Sequence, residues 1–137
     1  MKDVVDLIGR IFLSFIFLFE AYDSMRYFKE TLLKMAEYGI TWQPKFLLVG
    51  AIIALIMGGL MVLLGYRSSF GALLILLYWV PVTFIVHSFW NDPPDQLRMQ
   101  SILFMKNIAI TGGLLVVLVN GSQRFSIRRL FATTKVP

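Results

Sequence analysis

Residues 46–64 read FLLVGAIIALIMGGLMVLL, from Phe46 to Leu64, with no polar side chain among them. A helix of about 20 such residues crosses a hydrocarbon core of about 30 Å. A helix that is apolar all round has no face for water, so lipid is the solvent this stretch calls for. Pro44-Lys45 precedes it and Gly65-Tyr66-Arg67 ends it. Gly50, Ala54 and Gly58 recur at four-residue intervals and offer a smooth face that a second helix can approach closely.

Outward from this run, the same pattern repeats. Residues 70–88 form a further apolar stretch with Pro81 inside it, which a membrane helix tolerates. It closes on His87-Ser88-Phe89-Trp90, and aromatic residues of this kind suit a membrane surface. Asn91-Asp92-Pro93-Pro94-Asp95 breaks the chain, and its acids favour the N-terminus of a following helix. That helix spans about 98–119 and stops at Asn120-Gly121. On the other side, residues 4–22 are mostly apolar, and their only charged residues are Asp6, Arg10 and Glu20. Acids near its start and the absence of a small-residue cleavage site argue for a retained span, not a signal peptide.

Residues 24–38 differ. Met25, Phe28, Leu32 and Met35 recur at helical spacing while Arg26, Lys29, Glu30, Lys34 and Glu37 fill the opposite face. Ser24 is the expected N-cap and Gly39 the expected stop. The segment is too short and too charged to span, so it reads as an amphipathic helix in the interface or folded against the bundle. The expected fold is all-α: an integral membrane four-helix bundle in one domain, residues 1–137. An additional amphipathic helix lies between spans 1 and 2, and residues 121–137 form a basic tail.

Composition narrows the chemistry. Charged residues are 15% and hydrophobic residues 58% of the chain, where a soluble domain carries about 25% charged residues. The net charge of +5 falls in connections and tail, where cations orient membrane proteins and meet lipid phosphates; no soluble domain is left to bind nucleic acid. With no cysteine there is no disulfide, thiol nucleophile, iron–sulfur cluster or Cys-ligated zinc. The single histidine cannot make a bis-histidine haem site within one chain. His87, Asp92 and Asp95 lack metal-ligand spacing, so no metal and no intrinsic cofactor is expected. Cations divide almost evenly between the two sides. The dense cluster Arg124, Arg128, Arg129 and Lys135 favours both termini in the cytoplasm of a multi-pass cell (inner) membrane protein.

Ionisable groups inside a membrane are costly and therefore informative. In an up-down-up-down bundle, span 1 ends at the surface where span 3 ends and span 4 begins. Glu20 and Asp23 then lie level with His87 and Trp90. Lys106 sits about 15 Å into span 4 at 1.5 Å per residue and can reach back toward that surface. Gln100, Asn107 and Thr111 share one face of span 4, as Thr83 and His87 share one face of span 3. Glu20, His87, Lys106 and Asn107 are therefore the candidate lining of a polar pocket, with Asp23, Gln100, Thr111 and Trp90 as secondary candidates. His87 would exchange a proton, Lys106 would hold an anionic or carbonyl oxygen, and Glu20 would balance charge. The plainer reading has Lys106 paired with Glu20 or Asp23, His87 capping a helix and Asn107 bonding across helices. Arg10 has Asp6 one turn earlier and reads as a structural ion pair. No phosphate loop, Ser-His-Asp set or zinc motif is present.

Several segments carry a family likeness: Arg10-Ile11-Phe12-Leu13, Met35 to Ile40, and Gly58-Gly59 through Leu64-Gly65-Tyr66-Arg67. The more specific ones are His87-Ser88-Phe89-Trp90, and Phe104-Met105-Lys106-Asn107 with Gly112-Gly113-Leu114-Leu115. On these the chain resembles the DoxX family of small four-helix membrane proteins, related to MauE-like proteins. The likeness runs from about Arg10 to Arg129. Where many relatives carry His-Gly and then a lysine at the end of helix 1, this chain has Glu20-Ala21 and then Ser24.

The resemblance implies membership in membrane oxidoreductase assemblies, some of them thiosulfate–quinone oxidoreductases and others linked to redox homeostasis. A chain without cysteine would serve there as an anchor, lining a quinone or small-ligand pocket, beside other membrane or redox subunits or copies of itself. The alternative is a non-enzymatic scaffold or assembly partner, docking through the Gly50/Ala54/Gly58 face or the amphipathic helix. A transporter is the weakest reading, since no inverted repeat or pair of broken helices is evident.

Overall fold

The computed structural model describes residues 1–87, 90 and 92–121. Among these the chain is helical throughout: α1 (Lys2–Arg26), α2 (Phe28–Glu37), α3 (Pro44–Leu64), α4 (Ser68–Val86) and α5 (Pro94–Asn120). Three of them, α3, α4 and α5, are long and apolar enough to cross a membrane. α1 is longer than α4, but Asp6, Arg10 and Glu20 interrupt it, so it does not qualify on composition. The basic tail expected from Arg124 to Lys135 lies outside the described residues, as do Ser88, Phe89 and Asn91.

The boundaries follow local chemistry. Pro44 and Pro94 open their helices at the first turn, where a missing N–H costs nothing. α3 ends on Gly65 in the left-handed region, φ 70°. Gly39, φ 83°, ends α2: its N–H donates to the Ala36 carbonyl and the Ile40 N–H to the Met35 carbonyl. That pair of bonds is a Schellman motif, which any residue with a Cβ would strain.

The expected start of the amphipathic helix is corrected. Ser24 is not an N-cap; it is buried inside α1, which runs four residues past the expected end of span 1. Nothing between Glu20 and Tyr38 is a proline or glycine, so the helix has no reason to stop at Ser24. The interruption is the single residue Tyr27, with φ −108° and ψ 46°. Even there the ladder continues, with Tyr27 N–H donating to Asp23 and Thr31 N–H to Tyr27. Phe28, Leu32 and Met35 pack against the core while Met25 stays exposed on α1. The short helix is therefore folded back on its neighbours.

Packing is sequential: α1 lies on α3, α3 on α4 and α4 on α5, with α2 resting on α1 and α3. The inner stripe of α1 is Arg10, Ser14, Phe17, Ala21 and Ser24, a 3.5-residue repeat in which Phe17 meets Trp79 edge-on at 5.0 Å. α3 and α4 approach most closely at Gly58 and Gly71. A Cβ on Gly58 would lie 2.7 Å from the Gly71 carbonyl oxygen and 2.6 Å from Ile75 Cγ1. Only Gly58 of the three-residue small face is buried this way; Gly50 has open space around it.

Arg10 fixes α1 to α3. It is 2% exposed. Its Nε donates to Asp6 Oδ2 at 2.9 Å, and one guanidinium nitrogen, NH1, donates to the carbonyls of Val62 at 3.2 Å and Leu63 at 3.0 Å. Those carbonyls belong to the last turn of α3, where no helical N–H is left to satisfy them and the helix dipole is negative. The Arg10–Asp6 pair read from the sequence is present; the bridge to α3 is additional.

Two outcomes follow. Gly58→Val forces Cβ into a backbone carbonyl that cannot yield, and is expected to destabilise the detergent-solubilised protein by about 1–3 kcal/mol. Gly50→Ala, in open space, is expected to be neutral or slightly stabilising; thermal unfolding of both variants side by side checks the contrast. Arg10→Met strands Asp6 and two α3 carbonyls and is expected to cost about 3–5 kcal/mol, with Asp6→Asn costing less. Equal unfolding temperatures for Arg10→Met and wild type would contradict this account of the α1–α3 contact.

Candidate functional site

The polar groups gather where α1 ends, α4 ends and α5 begins. His87 terminates α4: its backbone N–H donates to the Thr83 carbonyl, and its φ of −105° leaves the helix. The ring then turns to α5, where Nδ1 lies 2.9 Å from Gln100 Oε1. With the amide oxygen accepting, Nδ1 carries a proton, and in the neutral ring that leaves Nε2 with its lone pair. Glu20, half-buried on α1, has His87 and Asp23 within electrostatic reach. Tyr78, half-buried on α4, senses the charge of Glu20 in turn. A carboxylate, an imidazole and an amide from three helices thus face one end of the fold.

Aromatic rings flank this end. Phe104 of α5 takes Phe84 edge-on at 5.4 Å and Trp90 edge-on at 5.6 Å. Trp90 itself is exposed, as an interfacial tryptophan should be.

The remaining candidates divide by face. Gln100, Asn107, Thr111 and Leu114 repeat on the inward side of α5, each of them half-buried or buried. The Thr111 hydroxyl is taken by its own helix, donating to the Asn107 carbonyl at 2.8 Å, and Thr83 likewise donates to Trp79 at 2.7 Å. Asp23 is exposed on α1. Lys106 is set apart. It is exposed, about 100° around α5 from Asn107, among Ser101, Ile102, Met105 and Ala109. Among the described residues it forms no ion pair with Glu20 or Asp23. The structure therefore pairs His87 with Gln100, sets Glu20 within electrostatic reach of His87, leaves Asn107 deeper on the same face, and puts Lys106 elsewhere.

Sequence reasoning ranked Gln100 second although it is the direct partner of His87, and it missed Tyr78. How α5 is set against α4 makes Gln100 the inward residue level with His87, and spacing along the chain does not carry that. Among the described residues no group of three or more His, Asp or Glu is placed to hold a metal ion.

Three apolar helices long enough to cross a bilayer, with polar groups collected at one end, define a small helical membrane protein. The chain belongs to the DoxX family, whose model matches residues 5–88, from α1 through His87. Over nearly its whole length it is similar to two proteins of Escherichia coli (strain K12). Inner membrane protein YqjF is 28% identical over 130 residues, covering 95% of this chain and 94% of that protein. Inner membrane protein YphA is 27% identical over 128 residues, covering 93% and 91%. No solved structure matches the chain.

The geometry sets an expectation for His87. Nitrogen-15 NMR of the imidazole should report the Nδ1–H tautomer in the wild type and a mixture in Gln100→Leu. A tautomer ratio that ignores the substitution would mean the 2.9 Å pair does not form in the membrane.

Proposed function

We propose that this chain is a four-span inner-membrane protein, and that it serves as a small subunit of a quinone-linked redox assembly, as its anchor and as one wall of a head-group pocket. Residues 1–137 then form one domain. α1 is the fourth span, because its buried cation is neutralised by Asp6 and by the end of α3, which removes much of the cost of carrying it through lipid. α2 lies along the interface, and both termini are cytoplasmic. The inner-membrane location rests on the two relatives that carry that description.

The observation that carries the ligand reading is the His87–Gln100 pair between α4 and α5, with Glu20 of α1 within electrostatic reach. A quinone head group needs polar partners for its oxygens at the depth where its ring meets the interface. His87 with Nε2 unprotonated accepts a hydrogen bond from a quinol hydroxyl, and the same nitrogen protonated donates to a quinone carbonyl. Asn107, one and a half to two turns deeper on the same face of α5, extends the polar lining toward the bundle centre. A bound quinone supplies the electron chemistry; these side chains orient the head group and hold a proton at Nε2.

Purified protein in lipid nanodiscs should bind a short-chain quinone saturably, read by quenching of tryptophan fluorescence. Loss of a hydrogen bond to a group that becomes charged is worth about 1.5–3 kcal/mol, so His87→Ala and Gln100→Ala should each weaken binding at least about tenfold. Wild-type affinity in both variants would remove the site. A second reading, a scaffold without ligand chemistry, draws on the open space at Gly50 and on α2, which has no buried residue of its own. It predicts no saturable quinone binding and a defined second protein crosslinked to α2 or to the Gly50 face.

A further inference from the structure

α5 sits at the edge of the fold. Of its 27 residues only Leu114 is buried. Its outward side carries an open groove of about 390 Å³ between Ser101, Ile102, Met105, Lys106 and Ala109. Helical geometry puts exposed Arg98 on the same stripe as Ile102, Met105 and Ala109, about 12 Å along the axis from Lys106 at 1.5 Å per residue. Two cations therefore flank an apolar strip. Asp95, in the first turn, lies on the same stripe one turn before Arg98 and about 17 Å along the axis from Lys106 at 1.5 Å per residue. Side chains on a helix lean toward its N-terminus, so the Lys106 stem runs over Ile102 toward the turn that holds Arg98.

We infer that this groove is a binding site for an anionic phospholipid. Its phosphate sits between Arg98 and Lys106, and an acyl chain lies along Ile102, Met105 and Ala109. The argument is charge complementarity. An exposed ammonium on a membrane-crossing helix needs an anion, no acid among the described residues forms an ion pair with Lys106, and the solvent around it contains molecules that join a phosphate to apolar chains. A second copy of this chain seated on the same groove would bring two Lys106 ammonium groups toward a common axis, with Asp95 about 17 Å away along each helix. A quinone head group, being neutral, would leave the lysine uncompensated. The site faces away from His87 and Gln100 and stands whether or not those residues hold a ligand.

Native mass spectrometry of the full chain released from detergent, titrated with phosphatidylglycerol or phosphatidylcholine of matched chains, tests the site. One cation near a lipid surface is worth about 1 kcal/mol, so a preference for phosphatidylglycerol of at least about fivefold is expected. Lys106→Met should abolish most of that preference and Lys106→Arg should keep it. Arg98→Gln should reduce it, and Glu20→Gln, on another helix, should leave it unchanged. Equal retention of the two lipids by the wild type overturns the inference. So does an undiminished preference in Lys106→Met, or a dimer that Lys106→Met dissociates. Lys106 is exposed, so its replacement does not threaten folding; matched helicity by circular dichroism confirms that loss of preference is loss of the site.

Discussion

The buried guanidinium of Arg10 sets the terms for the rest of the molecule. A charge at this depth is tolerated only when its donors are used, and here they are divided between a carboxylate on its own helix and two carbonyls at the end of α3. Those carbonyls have no partner within α3, so two costs are cancelled by one contact. The arrangement fixes the height of α1 against α3. It also explains why the charges that break the apolar run of α1 are compatible with a helix packed along α3.

Given that anchor, the fold needs little more than smooth contact. Gly58 and Gly71 let α3 and α4 approach to backbone distance, and Phe17 fills the space under Trp79. Water provides no hydrophobic drive between helices in lipid, so close packing and a few polar contacts carry the association. The polar end can then be spared from structural duty. Apart from the capping bond of its backbone, His87 is held by a side chain from a different helix.

Much of this was legible in the sequence. The runs from Phe46 to Leu64 and from Phe70 onward can only be apolar helices, and Gly39, Gly65 and Asn120-Gly121 announce where helices stop. The Asp6–Arg10 spacing gave the ion pair. What failed was whatever depends on where a helix points. Ser24 looks like a cap because serine caps well, yet the propensities on both sides favour continuing the helix, and they win. Lys106 and Asn107 are adjacent in sequence and about 100° apart on α5, so one turns outward and the other inward. The partner of His87 depends on how α5 is set against α4, and the partner of Arg10 on the height at which α3 ends. Neither leaves a periodic trace.

The distance along the chain between Arg10 and its α3 carbonyls, 52 and 53 residues, has a consequence for biosynthesis. At about 5–20 residues per second of synthesis, α1 emerges several seconds before the end of α3 exists. Throughout that interval Asp6, only four residues away, is the partner already made. The local ion pair is thus a temporary chaperone for a charge whose final seat has not yet been built, and α1 waits, neutralised, for the helix it will hold.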